Sequence, residues 1–552
     1  MKNIKIFTLC MVGLATAALT SCSDQMDEIT SYVLGRNLSP INLEATGVGE
    51  TNANIRWTPS ANATSYNLVV YADDSLSYNL DAAPVKTING ITEDQIPYNV
   101  TGLLFDTQYS VYVQAITDGN DSRTSTWNGA YFKTNTKQFL KNPKPADIAD
   151  RSVTLTWEVE DGFDVSTIVI GNITHQITAE EKAAGKATIT GLEPETDYTA
   201  YLYYNGKQCG NRNFTTIADL AGAILVHPED DLQKMIEDES VQDGAVFALY
   251  GGKYPINGTF DDTTGELLST GAVKVYKNIT IKGIYPTDQP VVQGRFELYD
   301  GAALSMSQLV IDGSKNSTSD QIFNYKLDQA AAGVEFGALD IQNCDITGRS
   351  DGKGLVYLNV KAIVKSITIN NSIVHGIECS GGDFIDSRAG LPREINLTNS
   401  TFYTVATSRD FIRVDDKSGD FSGQAGPVVK VDQCTLYKVG AGAANYRLLY
   451  VRFAGNEITF TNNIVVGTNY KRGFTNQKST DPEPELSNNY YFNCENLTSA
   501  GAGADATITW FDEGGTIANP GFKDADNANF TLNVDGEPNK GKAGDPRWRV
   551  SQ

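Results

Sequence analysis

Between Phe384 and Phe453, short apolar runs recur with the same internal order. Phe384-Ile385-Asp386-Ser387-Arg388-Ala389-Gly390, Phe411-Ile412-Arg413-Val414-Asp415-Asp416 and Leu448-Leu449-Tyr450-Val451-Arg452-Phe453 read alike. Each is followed by a second phrase: Leu397-Thr398-Asn399-Ser400-Thr401-Phe402, Val431-Asp432-Gln433-Cys434-Thr435-Leu436 and Phe460-Thr461-Asn462-Asn463-Ile464-Val465. Two phrases returning in order predict stacked, near-identical structural units. A polar column, Asn343, Asn371, Asn399, Gln433 and Asn462, with Asn488 as a further member, recurs about every 30 residues. Amides at one turn of successive coils can bond to the copy above, because stacked strands lie about 4.8 Å apart.

Alternation within the repeated strands divides inside from outside. Val356 and Leu358, Ile385 and Ser387, Ile412 and Val414, and Leu449 and Val451 are apolar or small and predict core. Successive side chains on a strand point to opposite faces, so the alternate positions form outer columns. One reads Tyr357, Asp386, Arg413, Tyr450, and the other Asn359, Arg388, Asp415, Arg452, with Lys361 and Lys417 near the strand ends. On this alignment Asp386 is expected beside Arg413, and Arg388 beside Asp415, on neighbouring coils.

Earlier in the chain the alternation predicts two smaller all-β modules, over 37–136 and 142–216. Ile55-Arg56-Trp57 and Tyr66-Asn67-Leu68-Val69-Val70-Tyr71 read as half-buried strands. Gly102-Leu103, Thr107 and Tyr109 then lead into an alternating strand. Val153-Thr154-Leu155-Thr156-Trp157 and Gly191-Leu192-Glu193-Pro194-Glu195-Thr196-Asp197-Tyr198 repeat the pattern, with Pro194 where the first module has Phe105. Each module resembles a fibronectin type III domain, which implies a core Trp and a tyrosine corner at Tyr109 and Tyr198.

From 219 to 552 the pattern is coiled. Asp230–Ile236 predicts an amphipathic helix, and Ala245–Tyr254 a buried strand ending in glycines. This pair resembles the N-terminal cap and first coil of right-handed parallel β-helices of the pectate-lyase and chondroitinase-B class. An open solenoid end needs such a cover. The expected fold is all-β: two fibronectin-like sandwiches, then a right-handed parallel β-helix with a short capping helix. The closing phrases Asn519-Pro520-Gly521-Phe522, Asn529-Phe530-Thr531-Leu532 and Gly544-Asp545-Pro546-Arg547-Trp548, with the coil phrases above, resemble Bacteroidetes surface lipoproteins of that architecture.

The N-terminus adds a location. Lys2 and Lys5 precede an apolar run, Ile6–Leu19, too short to span a bilayer. Residues 1–21 read as a secretion signal, and Leu19-Thr20-Ser21-Cys22 resembles a bacterial lipobox with Cys22 as the acylated residue. Residues 22–36 form a polar tether whose Ser23-Asp24 and Asp27-Glu28 resemble a surface-export signal. The expectation is a lipid-anchored protein on the outer face of the outer membrane. Cys209, Cys344, Cys379, Cys434 and Cys494 are widely spaced, without a CxxC, which is neither a disulfide framework nor a zinc site. Three histidines leave little for a multi-histidine metal centre.

Charge narrows the partner. A formal charge of −23 argues against nucleic acid. Yet Leu355–Thr475 carries thirteen Lys/Arg against ten Asp/Glu, so one region of an acidic chain is locally positive. Arginines grip carboxylates and aromatic rings stack on sugars, so the outer columns suit an anionic polysaccharide. The resemblance implies polysaccharide lyase chemistry. A uronic acid would lose its C5 proton while the C4 oxygen leaves, with Arg388, Arg413, Lys361 and Tyr450 as the catalytic set. Tyr357, Asn359, Arg452 and Lys417 would bind substrate, and Asp386, Asp415 and Asp416 offer the oxygen ligands Ca²⁺ takes. Two other readings stand beside it: a non-catalytic glycan binder that hands polymer to an outer-membrane importer, and a purely structural acid–arginine ladder.

Overall fold

The computed structural model describes residues 35–73, 83–119, 123–328, 333–494, 496–500 and 506–551. The secretion signal and Cys22 lie outside the described residues. The chain divides into two units. One runs to Phe139 and includes Tyr203–Gly210; the other comprises Leu140–Leu202 and the chain from Asn211 onward.

The first unit is an antiparallel sandwich. One sheet orders Ile41–Val48, Asn52–Thr58 and Tyr98–Val100; the other is built on Ser65–Ala72 and Gln108–Thr117. Trp57 is buried and meets Tyr66 edge-on at 5.3 Å. The Tyr109 hydroxyl accepts the Leu104 N–H at 2.7 Å, forming the expected corner. In the second unit the Tyr198 hydroxyl accepts the Glu193 N–H at 2.9 Å, and Trp157 is buried. The Thr107 and Thr196 hydroxyls each donate to the carbonyl two residues back, at Phe105 and Pro194. That position supplies only a carbonyl to the corner, so exchanging Phe for Pro leaves the motif intact.

Beyond 219 the chain winds through three sheets of eleven, ten and nine strands around one continuous apolar core. Helix Leu232–Glu237 starts on Asp231, whose carboxylate accepts the Lys234 N–H at 3.1 Å. Leu232 and Ile236 enter the solenoid core, so the helix closes the N-terminal end as its amphipathic pattern predicts. The nine-stranded sheet includes Val356–Leu358, Ile385–Ser387, Ile412–Val414 and Leu449–Val451, all parallel. Ile385, Ile412 and Leu449 are buried, and Phe384 stacks on Phe411 at 5.1 Å.

The amide column occupies left-handed turns, with φ of 54° at Asn343, 46° at Asn371, 50° at Asn399, 54° at Gln433, 56° at Asn462 and 51° at Asn488. Asn is the side-chain-bearing residue that most readily adopts this conformation, which explains its recurrence. The expected ladder is only partly formed. Asn371 donates to Asn343, and Asn488 to Asn462 at 2.7 Å. Asn399 instead donates to Asn370, and Asn462 to Asp432, each at 2.8 Å, because on the previous coil the residue just before the column member offers a competing acceptor. A second ladder lies one residue further on and is buried. Cys344 N–H donates to Ser372, Ser372 N–H to Ser400, Cys434 N–H to Asn463, and Asn463 N–H to Asn489.

The C-terminal segment folds back across these coils. Gly541 O accepts from Asn488, Gly544 N–H donates to Asn462 O, and Arg549 donates to Gln433. The buried Asp545 carboxylate accepts from Thr401 at 2.8 Å, and Arg547 reaches Asn371. One short segment thus ties coils that are distant in sequence.

Candidate anion-binding face

The outer face of the nine-stranded sheet places the predicted residues in the predicted register. Tyr357 pairs with Asp386, Asp386 with Arg413, and Arg413 with Tyr450. The charge pairing differs from the expectation. Arg388 Nε donates to Asp386 at 2.5 Å, and Arg413 Nε to Asp415 at 2.8 Å, both within one strand rather than between coils. Long guanidinium arms reach two residues along their own strand as easily as across to the next. Asp386, expected on the surface, is only 2% exposed, with its other oxygen accepting the Asp383 N–H.

The residues behind this face come from a column the alignment missed, Asp383, Asp410 and Arg447, each immediately before the first apolar residue of its phrase. Asp383 is fully buried and accepts from Arg388 at 2.8 Å, from Arg413 at 3.4 Å and from the Asp410 N–H at 3.1 Å. Asp410, 1% exposed, accepts the Arg447 N–H on one oxygen at 2.6 Å, while its Oδ2 has no partner. Burial, aided by the negative Asp383, pushes Asp410 up to about 7. Burial together with Asp386 raises Asp383 as well. Burial alone would lower Arg413, but Asp415, Asp383 and Asp386 hold it above its ordinary value. Burial lowers Arg447, against the pull of Asp410 and with the push of nearby Arg472.

Tyr450 is the hub of the cationic part. The guanidinium of Arg447 lies 4.2 Å over its ring, Arg413 5.4 Å and Arg452 5.8 Å, and Arg452 also donates to its hydroxyl at 3.2 Å. Arg409 lies 5.4 Å over Tyr446. Among the described residues no carboxylate lies within ion-pair distance of Arg409, Arg447, Arg452 or Arg472.

The remaining predicted residues are dispersed. Lys361 is exposed and pairs with Asp420 at 3.1 Å, and Lys417 precedes the short turn Ser418–Phe421. Asn359 is exposed and Tyr357 half-buried. Asp416 is occupied by Ser418 at 2.7 Å and Gln477 at 2.9 Å. Asp386 and Asp415 are held by arginines, and no group of three or more His, Cys, Asp or Glu able to hold a metal ion occurs among the described residues. Asp386, Asp415 and Asp416 therefore do not fit together as a calcium site.

Comparison with known proteins finds family matches in three stretches of the chain. Residues 38–128 match the family model described as Fibronectin type III domain. Residues 258–405 and 429–548 match two domains of unknown function, DUF4957 and DUF5123. The chain is similar to receptor-type tyrosine-protein phosphatase eta of Gallus gallus, 29% identical over 169 residues, covering 30% of this chain and 11% of that protein. It is also similar to tenascin of Gallus gallus, 22% identical over 209 residues, covering 36% of this chain and 11% of tenascin. The chain thus spans about a tenth of these relatives' length. A solved two-domain fibronectin type III segment from chicken tenascin is 18% identical, over 32% of this chain and 99% of that segment, with a TM-score of 0.24. The N-terminal region of the chain accordingly contains a fibronectin type III domain, and its solenoid matches two domains of unknown function.

Proposed function

We propose that the arginine–tyrosine face binds an acidic polysaccharide rich in uronic acids. One observation carries this reading: Arg447 and Arg452 lie over Tyr450, Arg409 lies over Tyr446 and Arg472 is near enough to Arg447 to lower it, and among the described residues none of the four has a carboxylate within ion-pair distance, in a chain of net charge −23. Like charges so placed repel, and an external anion relieves that repulsion. Carboxylates of a uronic-acid polymer match guanidinium forks, and the tyrosine rings offer flanking apolar surface. The lipobox-like Cys22 would hold this face at the outer surface of a bacterial outer membrane, beside an importer for the captured glycan.

A second reading, polysaccharide cleavage by β-elimination, is favoured by the lowered Arg447 guanidinium, since a base must give up its proton more readily than an ordinary arginine does. Neutral Arg447 would take the C5 proton, the C5–H electron pair would form the C4–C5 double bond, and the departing C4 oxygen would take up a proton from water.

Affinity electrophoresis of the pure protein through polygalacturonate and chondroitin sulfate tests binding, and ultraviolet absorbance of unsaturated product tests cleavage. Retention of the native chain, lost in Arg409→Ala/Arg452→Ala with an unchanged melting temperature, supports binding. Equal mobility of the two proteins overturns it. Product absorbance that persists with chelator and disappears in Arg447→Ala supports cleavage, and its absence on every polymer removes that reading.

A further inference from the structure

We propose that Asp410 is a proton-linked regulator of this face: it takes up a proton as an anionic sugar unit engages Arg447, so that capture weakens as pH rises. The inference rests on the binding reading above and adds its regulation.

The geometry couples the two residues. Asp410 Oδ1 accepts the Arg447 backbone N–H at 2.6 Å, while Asp410 Oδ2 and Arg447 Nε are both buried and unpartnered. The Arg447 guanidinium lies over the Tyr450 ring, which Arg413 and Arg452 share. When Asp410 is ionised, its charge offsets part of the Arg447 field that a ligand carboxylate would feel. When it is neutral, the ligand meets the undiminished cation. Binding a second negative charge beside a buried carboxylate favours protonation of that carboxylate, and by linkage a proton on Asp410 favours the ligand equally.

The surrounding groups leave Asp410 as the titrating member. On the preceding coil Asp383 is fully buried and tied to Arg388 and Arg413. The charged groups facing it from the same phrase and from the next coil are Arg413 and Arg447, with Arg409 and Arg472 beyond. The buried Tyr470 hydroxyl donates to Arg409 O at 2.7 Å, and burial holds this phenol well above its usual range. Burial also keeps the Cys379 thiol protonated. The histidines lie elsewhere: His175 on Glu181, His227 against Tyr250 and His375 on Asp345. Uronate carboxylates are already ionised above pH 6, so a change near neutrality belongs to the protein. Asp410 is placed to titrate there.

The test is retention by polygalacturonate and by chondroitin sulfate at pH 6, 7 and 8 at fixed ionic strength, for the native chain and Asp410→Asn. Asparagine keeps the acceptor for the Arg447 N–H and cannot ionise. Native affinity is expected to fall about fivefold from pH 6 to 8, out of the roughly tenfold total that corresponds to a one-unit difference in Asp410 between free and bound protein. Asp410→Asn should be flat and, at pH 8, bind as tightly as the native chain at pH 6. Should the variant fail to fold, calorimetry of the native chain in buffers of different ionisation enthalpy serves instead; net proton uptake on binding near pH 7 supports the proposal, and none overturns it. Native retention that does not move with pH, or a variant with the native pH profile, overturns the inference while leaving the binding reading in place. No retention at any pH overturns both.

Discussion

Replacing Asp410 by Asn should stabilise the coils around residues 383–451 at alkaline pH and leave them unchanged at acid pH. The side chain is 1% exposed, its Oδ2 has no hydrogen-bond partner, and it ionises at about 7 in place of 3.8. Between those two values the folded state holds a proton that the unfolded state has released. Stability contributed by this group is therefore fully present below pH 3.8 and drains as pH rises to about 7. At 1.36 kcal/mol per pH unit the loss amounts to about 4 kcal/mol above pH 7. Asparagine keeps the bond to the Arg447 N–H and leaves the second polar atom as unpartnered as before, so the acid-side difference should be near zero. A chain with several domains has no single unfolding free energy, so the local observable is native-state hydrogen exchange. The Phe411 and Arg447 amides, bonded to Arg447 O and Asp410 Oδ1, report these coils. Protection in Asp410→Asn relative to the native chain should match at pH 4 and exceed it increasingly up to pH 8, after correction for intrinsic rates. A difference independent of pH, or one that shrinks as pH rises, would refute the reasoning.

Three further outcomes follow from the geometry. Asn462→Ala should reduce native-state hydrogen-exchange protection of the Gly544 amide, bonded to Asn462 O, by the equivalent of about 1–2 kcal/mol while Asn462→Gly reduces it less, because the position sits at φ 56° and glycine alone enters that region freely; equal protection in the two variants would contradict this. Asp545→Ala removes the acceptor for the buried Thr401 hydroxyl proton, leaving that hydroxyl only the Trp548 indole N–H as partner, and should cost about 1–3 kcal/mol, read as faster proteolysis of the C-terminal segment; native proteolysis rates would contradict it. Tyr450→Ala removes the ring beneath Arg447, Arg413 and Arg452 and should weaken polygalacturonate retention several-fold at about 0.5–1 kcal/mol per cation–π contact, with Tyr450→Phe close to native; unchanged retention in Tyr450→Ala would contradict it.

The register of the solenoid was legible because alternation is a strict constraint. A slip of one residue turns every apolar side chain of a strand outward, so aligning Ile385, Ile412 and Leu449 as core was enough to align Asp386, Arg413 and Tyr450 outside. The tyrosine corners were legible for a similar reason: each needs a hydroxyl at one fixed offset from a backbone N–H. The amide ladder was less so. Left-handed turns select Asn for its backbone tolerance, and where its amide then bonds depends on what precedes the column member on the previous coil, Asn370 or Asp432, which the column itself does not encode.

Pairing and burial of the charged residues were the least legible, for a physical reason. Alternation says which face a side chain leaves from, and nothing about how far it travels or what lies over it. Asp386 leaves from the outer face and is nevertheless buried; Arg388 and Arg413 bend along their own strands to Asp386 and Asp415 and reach back to Asp383. The sequence did hold one usable signal. Asp383, Asp410 and Arg447 stand at the same offset before Phe384, Phe411 and Leu448, so they form a column as regular as those at the outer face. A carboxylate in such a column can accept the N–H of the next coil, as Asp383 does from Asp410 and Asp410 from Arg447. The substitution of arginine for the third acid ends that run of carboxylates and leaves the last one without a full counter-charge. In a repeat, the coil that breaks the pattern is where a stack of structural contacts acquires an unbalanced proton, and it is at that coil that Arg447 turns its guanidinium toward Tyr450 and the unpaired arginines.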